Sequence, residues 1–214
     1  MSQTNEKKPR PGRPKDEGLA ARRREAIIRH SITEFARNGY TGADLDVIAA
    51  NAGCSKGTLY NYFESKGDLF SASVDHVMFS LVNVINEHSS EDPITHIKNM
   101  VHLFLNYFHE HPEYIELLVQ ERSDFRDRKQ PTYYQYRQSG RERWLKRFEQ
   151  LISENKMRQI PPERAINAIS DLLYGTIFMN YFRHRKSNPE QQAEEVLDVL
   201  FRGLLTPKGL QDVT

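Results

Sequence analysis

From about residue 19 onward, apolar residues recur at the three-and-four spacing that lines one face of a helix. Ile28, Ile32 and Phe35, widened by Ile27 and Ala36, predict a first helix over about 19–38 that Gly39 ends. Leu45, Ile48, Ala49 and Ala52 predict a second, and Leu59 and Phe63 lie four apart on a third. A fourth, over about 66–88, carries Phe70, Val74, Val77, Leu81 and Val84 inward. Further stripes are Ile97, Val101, Phe104 and Phe108, then Ile115, Leu118 and Val119, then Trp144, Phe148 and Leu151. A helix of about 22 residues follows Pro161-Pro162 and ends near Arg185, and a last one holds Val196, Leu200 and Leu204 inside. Pro93, after Asp92, fits a first helical position and Asn188-Pro189 starts the last helix, whereas His111-Pro112 and Pro161-Pro162 break the pattern and the charged run SDFRDRKQP reads as a loop. No strand alternation and no glycine-rich phosphate loop interrupts this pattern. The expected fold is all-α, with nine helices.

The stretch from Asp44 to Phe63, DLDVIAANAGCSKGTLYNYF, stands apart because both of its helices are short. Asp44 precedes the first and can accept from its free N–H groups; Ser55 does the same for the second. Gly53 suits the left-handed exit between them. The second helix buries few side chains and exposes Lys56, Thr58, Tyr60, Asn61 and Tyr62, all hydrogen-bond donors and none acidic. A short helix presenting donors outward suits a helix-turn-helix, whose second helix enters the DNA major groove.

Gly39-Tyr40, Ile48-Ala49, AGCSKGTLYNYF and Ser65-Lys66 resemble the DNA-binding domain of tetracycline-repressor-like (TetR) regulators, over about residues 21–81. Asp44 departs from the usual Thr or Ser there, and Cys54 from the usual Val. The resemblance implies DNA contacts from Asp44, Ser55, Lys56, Gly57, Thr58, Tyr60, Asn61 and Tyr62, with Lys66 on a phosphate at the start of the fourth helix. It also implies three parts: a basic arm over 1–20, the DNA-binding domain over 21–81 with its helix-turn-helix at 44–63, and an effector-binding and dimerisation domain over 82–214. The last two long helices are apolar on more than one face, which calls for two partners each. The family pairs them across a two-fold axis, so Ile169, Leu173, Ile177, Tyr181, Val196, Leu200 and Leu204 are expected in a homodimer interface. The aromatic middle helices are where the family encloses an effector. Phe104, Tyr107, Phe108, Phe125, Trp144, Tyr174 and Phe178 are the expected walls, for an apolar or aromatic small molecule.

Charge changes the picture locally. The whole chain carries a formal net charge of only +1, but residues 1–15 hold Lys7, Lys8, Arg10, Arg13 and Lys15 against Glu6 alone. Within a Debye length that excess outweighs the total. Arg10 and Arg13, between prolines, fit a minor-groove arm, and equally a solvated tail. Arg22, Arg23 and Arg24 open the first helix, where the dipole disfavours cations; a nearby phosphate would offset it, and a solvated charged face is an equally ordinary reading.

Cys54, the single cysteine, excludes an intrachain disulfide. The start of the chain lacks the apolar core of a signal peptide, and no apolar run approaches bilayer-spanning length, so a cytoplasmic, nucleoid-associated protein is expected. His109-Glu110-His111 places its side chains on different helix faces, so no metal and no cofactor is expected. The expected function is a dimeric DNA-binding regulator, a repressor released from a palindromic operator by a small molecule. Two alternatives remain at this point: a chromosome-organising or division-linked DNA-binding protein without an effector, and an enzyme acting in the C-terminal pocket.

Overall fold

The computed structural model describes residues 17–125, 129–184 and 188–203. Among these residues there are ten helices and no strand: α1 (Glu17–Gly42), α2 (Leu45–Asn51), α3 (Lys56–Tyr60), α4 (Lys66–Glu87), α5 (Pro93–Glu110), α6 (Pro112–Asp124), α7 (Thr132–Ser139), α8 (Arg141–Ser153), α9 (Pro162–Phe182) and α10 (Pro189–Arg202). The all-α expectation holds, with one helix more than the nine expected. The extra element is α7, which the charged loop and Pro131 conceal in the sequence. Its N-terminus is capped from a distance: the buried Glu121 carboxylate, on α6, accepts from the backbone N–H and the hydroxyl of Thr132. A break at Ser139-Gly140 separates it from α8, where the Ser139 hydroxyl donates back to the Tyr136 carbonyl at 2.8 Å.

The boundaries follow side-chain chemistry. Asp44, Ser55, Ser65, Asp92 and Asn188 each accept from a backbone N–H in the first turn of the helix they precede. Prolines open α5, α6, α9 and α10, where no amide is needed. Gly39, at φ 73°, kinks α1, so the regular helix stops where expected and one further turn leads into α2.

α4 organises the molecule. Its first half, through Leu69, Phe70 and Val74, completes the core that α1, α2 and α3 build from Ile28, Phe35, Ile48 and Leu59. Its second half, through Val77, Met78 and Leu81, enters the larger bundle of α5 to α10. Ser31 and Ser73 hydroxyls meet at 2.6 Å inside the α1–α4 contact, and the buried Tyr107 hydroxyl donates to the Val77 carbonyl at 2.7 Å. Burial raises the Tyr107 phenol above its ordinary range, which keeps it a donor. α4 is also long and apolar enough to cross a membrane, contrary to the expectation that no run reaches that length. Here its apolar residues pack against α1, α5, α6 and α7.

The two bundles interlock at the base of α1. Phe125, after α6, packs on Tyr40 and Phe70 with ring centroids 4.8 and 5.1 Å away. Gln120 of α6 donates to the Phe35 carbonyl at 3.0 Å. α10 lies along α5, where His102 sits between Glu190 and Glu194 at 3.0 and 3.2 Å.

Candidate nucleic-acid interface and interior cavity

α3 has five residues, too few to be stable by itself. Leu59, with no exposed surface, anchors it, and Phe63 is buried two residues past the Asn61 cap. The Ser55 hydroxyl accepts from the Thr58 N–H at 3.1 Å and fixes the start. Gly53, at φ 67°, provides the left-handed turn out of α2 that a side chain would strain.

With the inner face so used, Lys56, Gly57, Tyr60 and Asn61 are exposed on one side. Thr58 is half-buried, its hydroxyl 3.0 Å from that of Ser55. Tyr62 is half-buried against the core. The structure therefore leaves six of the eight expected contact residues of the motif exposed, Asp44 and Ser55 among them, and turns Thr58 and Tyr62 partly inward. Asp44 is exposed at the edge, its carboxylate accepting from the Asp46 N–H at 2.8 Å. Lys56 pairs with Asp46 at 2.9 Å; this hydrogen bond and the aspartate's charge raise its pKa above the ordinary lysine value. Both partners are exposed, so a phosphate could displace the aspartate cheaply.

Lys66 has a structural task that its position in the sequence does not reveal. Its ammonium donates to the carbonyls of Thr41 and Ala43 at 3.0 and 2.7 Å, over the Tyr40 ring. It thereby ties the α1–α2 link to the start of α4, with one of its three donors left for another acceptor. Arg24 stacks over the Phe63 ring at 5.1 Å, which sets it beside the helix-turn-helix; Arg22 is exposed and Arg23 half-buried. Arg10 and Arg13 lie outside the described residues.

A second feature is a cavity of about 150 Å³ between α4, α5, α7, α8 and α9. Three of the seven expected wall residues, Phe104, Trp144 and Tyr174, line it. The other four do not. Tyr107 is buried with its hydroxyl on Val77, and Phe125 fills the junction between the bundles. Phe108 borders a separate recess with His109 and Gln192, and Phe178 packs on Tyr133 and Phe182. Helical spacing shows that these rings are inward but not into which gap each points. Two arginines, Arg137 and Arg143, complete the wall, together with Met78, Leu81 and Ile85 of α4. The arginines sit in a stretch whose charge suggests a solvated surface. The only sequence signal is their interleaving with Tyr133, Tyr134, Tyr136 and Trp144.

The expected dimer residues fall at different depths in the single chain. Leu173, Ile177 and Val196 are buried within the chain, and Ile169 faces the cavity. The one-turn core spacing places them on the inner faces of α9 and α10. Tyr181 and Leu200 are half-buried against that core, and Leu204 lies outside the described residues. The outward apolar residues are instead Met179 and Phe182 on α9, 45% and 59% exposed, and Val199 and Phe201 on α10. Among the described residues, no group of three histidine, cysteine, aspartate or glutamate side chains could hold a metal ion.

Comparison with known proteins agrees with this geometry. Residues 27–73, which cover α2, α3 and the flanking parts of α1 and α4, match the family model of bacterial regulatory proteins of the tetR family. The HTH-type transcriptional repressor SCO4008 of Streptomyces coelicolor is 34% identical over 111 residues, covering 50% of this chain and 55% of that protein. The chain thus spans about half the length of such curated relatives. Solved structures extend the fold further. The fatty acid degradation regulator FadR of Bacillus halodurans aligns with a TM-score of 0.72 at 18% identity, over 85% of this chain and 96% of that one. The TetR-family regulator PfmR of Thermus thermophilus aligns at 0.68 and 20% identity, over 84% and 99%. Residues 27–73 are thus similar to the matching part of the bacterial regulatory proteins of the tetR family, and the helical fold is similar to solved structures over most of the chain.

Proposed function

We propose that this chain is a transcriptional repressor that binds a palindromic operator as a homodimer and leaves it when a small molecule occupies the cavity. The observation that carries this reading is the path of α4. One end packs against the helix-turn-helix and holds Lys66; the other forms a wall of the cavity through Met78, Leu81 and Ile85. Lys56, Tyr60 and Asn61 meet DNA from α3, with Asn61 reading a base edge and Tyr60 a phosphate. Two such helices across a two-fold axis, about 34 Å apart, span successive major-groove faces. An occupant of the cavity acts by favouring a position of α4 at which that spacing is wrong, and it shifts the equilibrium only by its differential affinity for the two positions. The place of action is the cytoplasm, where the chromosome is.

The test is selection of random double-stranded DNA by the purified protein at physiological salt, followed by sequencing. The expected result is one enriched palindrome. Binding without enrichment would favour the effector-independent, shape-driven alternative, and absence of binding under all conditions would reject the reading.

A further inference from the structure

The cavity wall has a polarity that its aromatic lining conceals. Two arginines border it and no lining residue is acidic. Arg137 is tied down on its outer side: Nη1 donates to Asp171 at 2.9 Å and Nη2 to the Asn167 side chain at 2.9 Å. Its Nε–H is buried and has no partner. Arg143, on the next helix, reaches only the Asn86 side chain at 3.5 Å. A buried N–H on a cation is costly when unpaired, and native structures rarely leave one so unless an acceptor arrives from outside. Most of the rest of the wall is apolar and aromatic, with Phe104, Phe148, Trp144 and Tyr174 enclosing the space, and Asn86, Ser139 and Ser170 add polar side chains. At about 150 Å³ the space fits a body of about one six-membered ring.

We propose that the cavity takes a small aromatic or alicyclic carboxylate, its ring between Phe104, Trp144 and Tyr174 and its carboxylate on the Nε edge of Arg137. The inference rests on the effector reading above and specifies the ligand class of that site. A carboxylate matches the planar guanidinium edge and gains charge-assisted hydrogen bonds, with Asp171 exposed and able to yield its place. A neutral ring would leave the Nε–H unpaired.

Calorimetric titration of the full-length protein with benzoate, phenylacetate and cyclohexanecarboxylate, each beside its neutral amide, tests this directly. The expected result is saturable binding of at least one carboxylate, one per protomer, with its amide weaker by about tenfold or more. Arg137→Gln should lose a similar factor, and Arg164→Gln, on the exposed side of α9, should lose none. Equal binding of acid and amide, binding unaffected by Arg137→Gln, or no binding of any probe would each overturn the assignment. The acid–amide comparison in the unaltered protein decides even if the Arg137 variant fails to fold. The same titrations repeated with the selected operator separate the two levels. A carboxylate that binds yet leaves DNA affinity unchanged would reject the effector reading and keep the site. An amide that releases DNA would reject the anion and keep the effector reading.

Discussion

At the scale of residues, neighbouring positions on one short motif divide between holding the fold and forming the open surface proposed to meet DNA. Asn61 is exposed and caps α3 through its backbone alone, so its side chain is free of structural duty. Asn61→Ala should leave thermal stability within about 0.5 kcal/mol and alter the bases enriched at one position of each half-site. An unchanged enriched sequence would remove Asn61 from base readout. Lys66 should behave differently, because its ammonium bridges two carbonyls of the α1–α2 link. Lys66→Ala is expected to cost about 1 kcal/mol of stability and to weaken all DNA sequences alike. A Lys66 variant with native unfolding behaviour and reduced DNA affinity would show that only the phosphate role matters. The caps at Asp44 and Ser55 and the turn at Gly53 are legible in sequence because each depends on a residue's own backbone chemistry. The carbonyl clamp of Lys66 is not, since its acceptors lie more than twenty residues away.

At the scale of elements, the helices that carry their own caps and stripes are readable from sequence. The one that borrows its cap is hidden: α7 starts under the Glu121 carboxylate, an acceptor from another helix. The arginines of the cavity are hidden for the same reason, since α7 and α8 bring them inward only after that turn is in place. His96 of α5 offers a check on the packing there. It is buried against Trp144, and loss of hydration, with help from the charges of Arg147 and Arg143, lowers its pKa below 6.5. In the window between the folded value and 6.5 the unfolded chain binds the extra proton, so this contribution to stability is complete above 6.5 and is lost as pH falls. Melting followed from pH 7.5 to 5 should fall more steeply for the native protein than for His96→Phe. Parallel curves would mean that His96 does not control the slope.

At the scale of the whole molecule, the apolar residues at the ends of α9 and α10 are left largely exposed among the described residues, although Phe182 packs one side on Phe178 and Tyr181. Met179, Phe182 and Phe201 are large side chains that helix periodicity places on the face opposite Leu173, Ile177 and Val196, and Val199 lies at the margin of that face. The two-faced character of these helices was therefore legible, but the assignment of residues to the inner and outer face was not. Phase along a helix is set by the neighbours it meets, and α10 meets α5. Phe182→Glu combined with Met179→Glu should convert a dimer into a monomer by light scattering and abolish binding to a full palindrome. Retention of the dimer by this variant would place the two-fold contact elsewhere on the surface.

The continuity of α4 has a further consequence. Leu69 and Phe70, near its start, and Met78 and Leu81, farther along, belong to one continuous hydrophobic core. A helix that runs through one shared core couples opening at its two ends into one cooperative event. Amide exchange in α2 and α3 should therefore slow when a ligand binds in the cavity along the far half of α4, even without DNA, and the helix proposed to read the operator would borrow its persistence from the occupant of that chamber.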